Sequence, residues 1–211
     1  MAPPGPMPMF PLGSVLLPSM LLPLHVFEER YRRMVDDVLA SDPPEFGVVL
    51  IARGSEVGGG DQRLDVGCVA TVLEAQQAPD GRWALMCVGT RRVRVRSWSP
   101  EDPYPAAVVE DWPDAGAGGL DLDDALAAVE ARVRRVAALG SELGSPGLPE
   151  PLELSDDPVE RSYQLGVLSP LGPLDRQSVL EAEGPLDRLQ VLTGLLAEHE
   201  DVLRARLALG D

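Results

Sequence analysis

The sequence predicts an α+β chain: a small β-barrel with one early helix over residues 9–113, then an α-helical bundle over residues 120–210. Three observations carry this expectation. As far as Trp112 the apolar residues alternate or run in short stretches between turn residues, the habit of strands. Beyond Gly119 they recur every three or four residues, the habit of helices. Between the two patterns, residues 113–119 (PDAGAGG) have the composition of a linker.

The elements follow in order. Residues 1–8 (MAPPGPMP) read as a mobile Pro-rich tail. Residues 9–26 are apolar but interrupted by Pro11, Pro18 and Pro23, which forbid a helix and confine the segment to bent edge strands or connections. From Phe27 the period changes. Phe27, Tyr31, Met34, Val35, Val38 and Leu39 form one helical stripe, and Asp42-Pro43-Pro44 stops it. Residues 46–52 are a continuous apolar strand, and residues 53–65, with Gly54 and three successive glycines from Gly58, read as a loop. Residues 66–78 and 82–89 form a hairpin about Pro79-Asp80-Gly81. Residues 90–98 continue the alternation, with Arg92, Arg94 and Arg96 on one face and Arg91, Val93 and Val95 on the other; residues 104–112 add a last strand. About six strands with local connections suggest a small, partly open barrel.

Four helices are expected after the linker. Leu122, Leu126, Val129, Val133 and Val136 mark the first, with Asp121 or Asp123 as its cap and Gly140 past its end. Residues 157–168 and 174–183 are shorter, and Gly184-Pro185 opens the last, whose Leu189, Leu192, Leu196 and Leu203 keep bundle spacing.

Charge and cysteine content narrow the chemistry. The formal charge is −16, with ten Arg against fifteen acids in residues 1–113 and eight against nineteen in residues 114–211. Such a field repels a phosphate backbone, so nucleic acid is an unexpected partner. The opening residues lack the basic start and apolar run of a secretory signal, and each apolar segment is too short or too proline-broken to cross a bilayer, so a soluble, cytoplasmic protein is expected. With residue 78 opposite residue 83, Cys87 faces Glu74 and Cys68 lies roughly 20 Å further along the strand. That is too far for a disulfide, and both are read as buried thiols.

The ordered motifs carry a resemblance. PLGSVLLPSMLLPLHVFEERYRRM, then FGVVLIA, VGCVATVLEAQQAPDGRWALMCVGTRRVRV and YPAAVVEDW, resemble the Lon protease N-terminal substrate-binding domain family, in which a Pro-punctuated strand pair leads into a helix. SPLGPLDRQSVLEAEGPLDRLQVLTGLL resembles the helical segment that follows in that family and in its stand-alone relatives: Gln177, Leu180, Glu181, Arg188, Leu189, Leu192, Leu195 and Leu196 fit, and Val179 replaces a leucine. The resemblance implies a PUA-like barrel. It also implies a non-catalytic, stand-alone module that recognises unfolded or extended polypeptide segments, with a protease, a chaperone or a second copy of the chain as open partners.

All eighteen basic residues are Arg. Without Lys there is neither the phosphate-binding lysine of a Walker A loop nor a Ser-Lys dyad, so the ATPase and peptidase chemistry of full Lon proteases is not expected here, and no cofactor is. Ser14, Ser19, Thr71 and Thr90 lack a G-x-S-x-G context. His25 and His199 stand alone without ligand spacing, so no metal is expected. The Arg92, Arg94 and Arg96 stripe offers the alternative of a PUA-like RNA-binding module that contacts RNA phosphates, weighed against a solvated face meeting acidic neighbours. The favoured candidate is apolar: Met20, Leu21, Leu22 and Leu24 beside Pro18 and Pro23, with Trp83, as a peptide-binding surface. Core packing and oligomerisation are its alternatives.

Overall fold

The computed structural model describes residues 5–53, 62–116 and 122–209. The glycine-rich part of the loop expected over residues 53–65, the end of the 113–119 segment and Asp121 lie outside these residues, and the described ends of that expected loop, Arg53 and residues 62–65, are strand. The chain divides into two compact units, Met1–Pro113 and Asp114–Asp211. Among the described residues it is a mixed α+β fold with one six-stranded sheet and five helices.

The first unit holds β1 (Met7–Leu12), β2 (Leu21–Val26), α1 (Glu29–Leu39), β3 (Glu45–Arg53), β4 (Gln62–Gln77), β5 (Trp83–Trp98) and β6 (Ala106–Asp111). The strands are ordered β2-β5-β4-β3-β1-β6, and β6 pairs again with β5, so the ladder of five strands returns to where it started and β2 is attached outside it. Among the described strands only β1–β3 is parallel. β1 corrects the sequence reading at two places. Met7 and Pro8 are strand, not tail, because they pair with Ala107 and Ala106 of β6. Nor is β1 an edge strand, although β6 reaches only Met7 and Pro8, leaving Pro11 paired with β3 alone.

Helix α1 buries Tyr31, Met34, Val35 and Val38. Tyr31 stacks on Phe10 of β1 at 4.3 Å between ring centroids, and Phe10 lies 6.1 Å from Phe46 of β3. At about 1.5–3 kcal/mol for each fully buried apolar side chain, this face, not helix propensity, holds the helix. Phe27, expected to open the stripe, stands outside the helix. Glu28 is the extended N-cap residue, and Phe27 is 58% exposed.

The β4–β5 hairpin also departs from the expected register. Gln77 pairs with Trp83, and irregularities between Val72 and Glu74 and between Cys68 and Ala70 shift the ladder, so Cys87 faces Val72, not Glu74, and Cys68 faces Arg92. Alternation along one strand cannot reveal a bulge, because the extra residue is absorbed locally. Both cysteines are free and buried. The turn needs Gly81, whose φ of 82° suits glycine. Gly89 is needed for closeness: a Cβ there would meet the Leu17 carbonyl oxygen.

The second unit contains α2 (Asp123–Glu142), α3 (Pro158–Leu168), α4 (Pro173–Glu181) and α5 (Pro185–Leu209). Leu126, Val129, Val133 and Val136 of α2 are buried, as are Leu189, Leu192, Leu196 and Leu203 of α5, and α2 packs chiefly on α5. Asp157 caps α3 by accepting from the Glu160 N–H at 2.9 Å, while Pro158, Pro173 and Pro185 each open a helix. Two cap expectations are corrected. Asp123 lies inside the first turn of α2 and Leu122 precedes it without a side-chain cap. Gly140 is inside the helix, and Gly144, at φ 84°, occupies the left-handed position beyond its end. The Ser145 N–H returns to the Gly140 carbonyl at 2.9 Å, closing the end of the helix.

Candidate functional site

Strand β2 is the organising element, and its alternation decides which candidates face out. Leu22, Leu24 and Val26 point inward and are 9%, 9% and 2% exposed, while Leu21, Pro23 and His25 are exposed. Two of the expected peptide-binding residues, Leu22 and Leu24, are therefore core side chains. Leu21 is 58% exposed, and Met20 and Trp83 are partly buried. Two further exposed apolar residues were not selected by the sequence reading: Phe27, displaced from the helix and lying just past the opposite end of β2 from Leu21, and Leu73, thrown outward at the bulge of β4 and 54% exposed. A period-2 reading carried through to Phe27 would have found it.

The backbone of β2 sharpens the picture. The Ser19 N–H donates to the Gly89 carbonyl at 2.8 Å and the Gly89 N–H to the Met20 carbonyl at 2.9 Å, which fixes Gly89 as a β5 residue aimed at β2. Antiparallel alternation then aims Cys87, Leu85 and Trp83 at their partners Leu22, Leu24 and Val26. Leu21, Pro23 and His25 turn their backbone groups to the other edge, where no strand pairs among the described residues. Pro23 sits where its missing N–H interrupts no ladder bond. Leu21 and His25 each offer an N–H and a carbonyl to that edge, and Pro23 a carbonyl alone.

Two clefts border this strand. One of about 520 Å³ lies between the end of β2 and the β4–β5 turn, lined by His25, Phe27, Gln76, Pro79, Arg82 and Trp83 among others. Another of about 530 Å³ is lined by Pro23, Leu24, His25, Glu74, Ala84 and Met86 among others. They share the cross-strand row His25–Ala84–Gln76. At the turn, Arg82 binds Asp80 at 2.7 Å, and this hydrogen bond with the guanidinium holds the Asp80 carboxyl below the usual carboxylate range.

The Arg stripe is differently placed. Arg92 is 3% exposed, and its guanidinium and that of Arg94 lie 4.4 and 4.1 Å from the Trp112 ring centroid. Arg96 is ion-paired with Glu110, and Arg91 with Glu45 at 2.7 Å and Asp111 at 3.0 Å. Among the described residues no group of three His, Cys, Asp or Glu is placed to hold a metal ion, and no helix is long and apolar enough to cross a membrane.

Comparison with known proteins decides the family. The profile of the ATP-dependent protease La (LON) substrate-binding domain matches residues 6–198. The chain belongs to that family. It is 27% identical over 203 residues to a Lon protease of Trichlorobacter lovleyi, and 24% identical over 198 residues to the Lon protease of Escherichia coli strain K12. Each alignment takes in 93% of this chain, which spans about a quarter of the length of those relatives. The crystal structure of a Lon N-terminal domain protein from Xanthomonas campestris superposes with a TM-score of 0.65 at 27% identity, covering 90% of this chain and 97% of that one. The N-terminal domain of a Mycobacterium avium complex Lon protease shares the fold, with a TM-score of 0.63 at 19% identity over 92% of this chain and 99% of that one. The family match lies in the substrate-binding part of Lon, not in its catalytic part.

Proposed function

We propose that the chain is a non-catalytic polypeptide-recognition module that takes unfolded or extended segments on the outer face and free edge of β2. One observation carries the reading: a family fold presents a strand edge with no partner among the described residues, with exposed Leu21 at the start of that strand and exposed Phe27 just past its end. An extended peptide added there would exchange main-chain hydrogen bonds with Leu21, Pro23 and His25, and its alternate side chains would meet the apolar face. Met20 and Trp83 fall in the same inward row as Leu22 and Leu24, so these four would support such a peptide from beneath. The return of pairing from β6 to β5 supports a small PUA-like barrel as the scaffold. The chain has no Lys for the nucleotide and peptidase chemistry of Lon, so these residues would serve recognition only.

The test is binding of fluorescein-labelled β-casein, an unfolded probe, followed by anisotropy. Saturable binding that weakens by about tenfold or more in Leu21→Ser/Phe27→Ser is expected, because each side chain buried on binding contributes about 1.5–3 kcal/mol. Undiminished binding by that variant would move the site elsewhere, and no binding by the intact chain would end the reading.

A further inference from the structure

Resting on that reading, we propose that the cleft between the end of β2 and the β4–β5 turn captures the C-terminal residue of the bound polypeptide, an apolar side chain carrying a free α-carboxylate. Two features of the lining argue for this. In a chain of net charge −16, the ten residues around this cleft include no Asp or Glu. They supply instead the guanidinium of Arg82, the imidazole of His25 and the side-chain amides of Gln76 and Gln77, beside apolar walls from Val26, Phe27, Pro79 and Trp83. Such a set matches a group that is anionic on one side and apolar on the other. An Asp or Glu side chain brings the charge without the apolar body, whereas a C-terminal Leu or Val brings both on one residue.

The surroundings fit. Arg32 of α1 reaches the turn, where its guanidinium lies against Gly81. Arg82 is held by Asp80, but both are exposed, and such a pair is weak enough to be shared with or exchanged for an incoming carboxylate. The one carboxylate bordering the second cleft, Glu74, stands on the far side of the His25–Ala84–Gln76 row. A peptide parallel to β2 along its free edge would reach the cleft at its own C-terminus, because β2 runs from Leu21 towards Val26.

The experiment measures binding of the intact chain to an N-terminally labelled Gly/Ser peptide ending in Val-Leu. The same peptide as its C-terminal amide, and an amide carrying a penultimate Asp, are measured beside it. The free acid is expected to bind about tenfold or more tightly than the plain amide, the scale of one charge-assisted hydrogen bond. Arg82→Gln should collapse that ratio towards one, with an unchanged melting temperature because Arg82 is exposed. Equal binding of acid and amide, or binding of neither peptide while β-casein still binds, would overturn the C-terminal site and leave the polypeptide reading standing. An Asp-bearing amide as tight as the acid would overturn it in favour of acidic side chains. Loss of β-casein binding as well would take both readings together.

Discussion

The Arg94 guanidinium lies over the indole ring of Trp112, 4.1 Å from its centroid, and Arg92 lies near the same ring at 4.4 Å. A sequence stripe that offered three cations to a phosphate backbone is therefore consumed internally. Two guanidiniums are stacked on an aromatic ring, and the third, on Arg96, is tied to Glu110. Trp112→Ala is expected to cost about 1–3 kcal/mol in urea denaturation, since it removes the ring contact of Arg92, a nearly buried cation. The intact chain should show no salt-dependent affinity for single-stranded RNA. A steep salt slope of measurable binding would restore the phosphate-binding reading.

In the helical unit the fully buried Arg188 is the counterpart. It is paired with Asp114, donates to the Ser162 hydroxyl at 2.7 Å and lies 3.4 Å from the Tyr163 ring centroid, while Tyr163 donates to Asp114 at 3.1 Å. Removing one partner of a buried pair strands the other charge. Arg188→Met and Asp114→Ala should each cost about 3–5 kcal/mol, and the double variant clearly less than their sum. Additive losses would show that the pair is not coupled.

Acid should act through Glu130. Hydrogen bonds from Arg161 first, and from Arg134 at 2.8 Å, hold its carboxyl below the ordinary range. A depressed folded-state pKa contributes stability that is present above the unfolded value, about 4.3, and lost as pH falls through the folded one. Its partners are partly exposed, so Glu130→Gln should lower stability at pH 7 by about 1 kcal/mol and by less at pH 3. An equal loss at both values would exclude the ion pair as the cause.

Burial pushes the Cys68 thiol up to about 12 and the Cys87 thiol to about 11. The thiolate is the reactive form, so neither should react with a disulfide reagent at pH 8 until the chain is denatured, when both should. A raised folded-state value contributes fully below the unfolded pKa, about 8.5, and is lost as pH climbs above it, so stability should decline in alkali. Rapid labelling of the native protein would contradict this burial.

What was legible in the sequence was periodic. The stripes of α1, α2 and α5 and the apolar run of β3 identified these elements, because burial on one face or two leaves a repeating signature. What was not legible was local geometry. The bulge that shifts Cys87 from Glu74 to Val72, the helical Gly140 and the role of Arg188 depend on contacts distant in sequence. Arg188 fitted the family pattern, but no periodicity foretold a buried cation there. At β2 the positions of the prolines do not distinguish Leu21 from Leu22, whereas strand geometry sends these neighbours to opposite faces.

That register yields the most direct test of the proposed site. Leu21 and Leu22 are adjacent, yet one is 58% exposed and the other 9%. If the outer face of β2 binds polypeptide, Leu21→Ser with Phe27→Ser should weaken β-casein binding by about tenfold or more and shift the denaturation midpoint little, because exposed strand substitutions span only about 1 kcal/mol. Leu22→Ala with Leu24→Ala should do the reverse. Large-to-small changes in a core cost about 2–5 kcal/mol each, so the β-strand unit should lose much of its stability, while molecules still folded bind with nearly full affinity. A collapse of stability in the first variant would mean that Leu21 and Phe27 are covered in solution. Loss of affinity in the folded fraction of the second, with none in the first, would place the peptide on the inner side of β2 and refute the outer-face site.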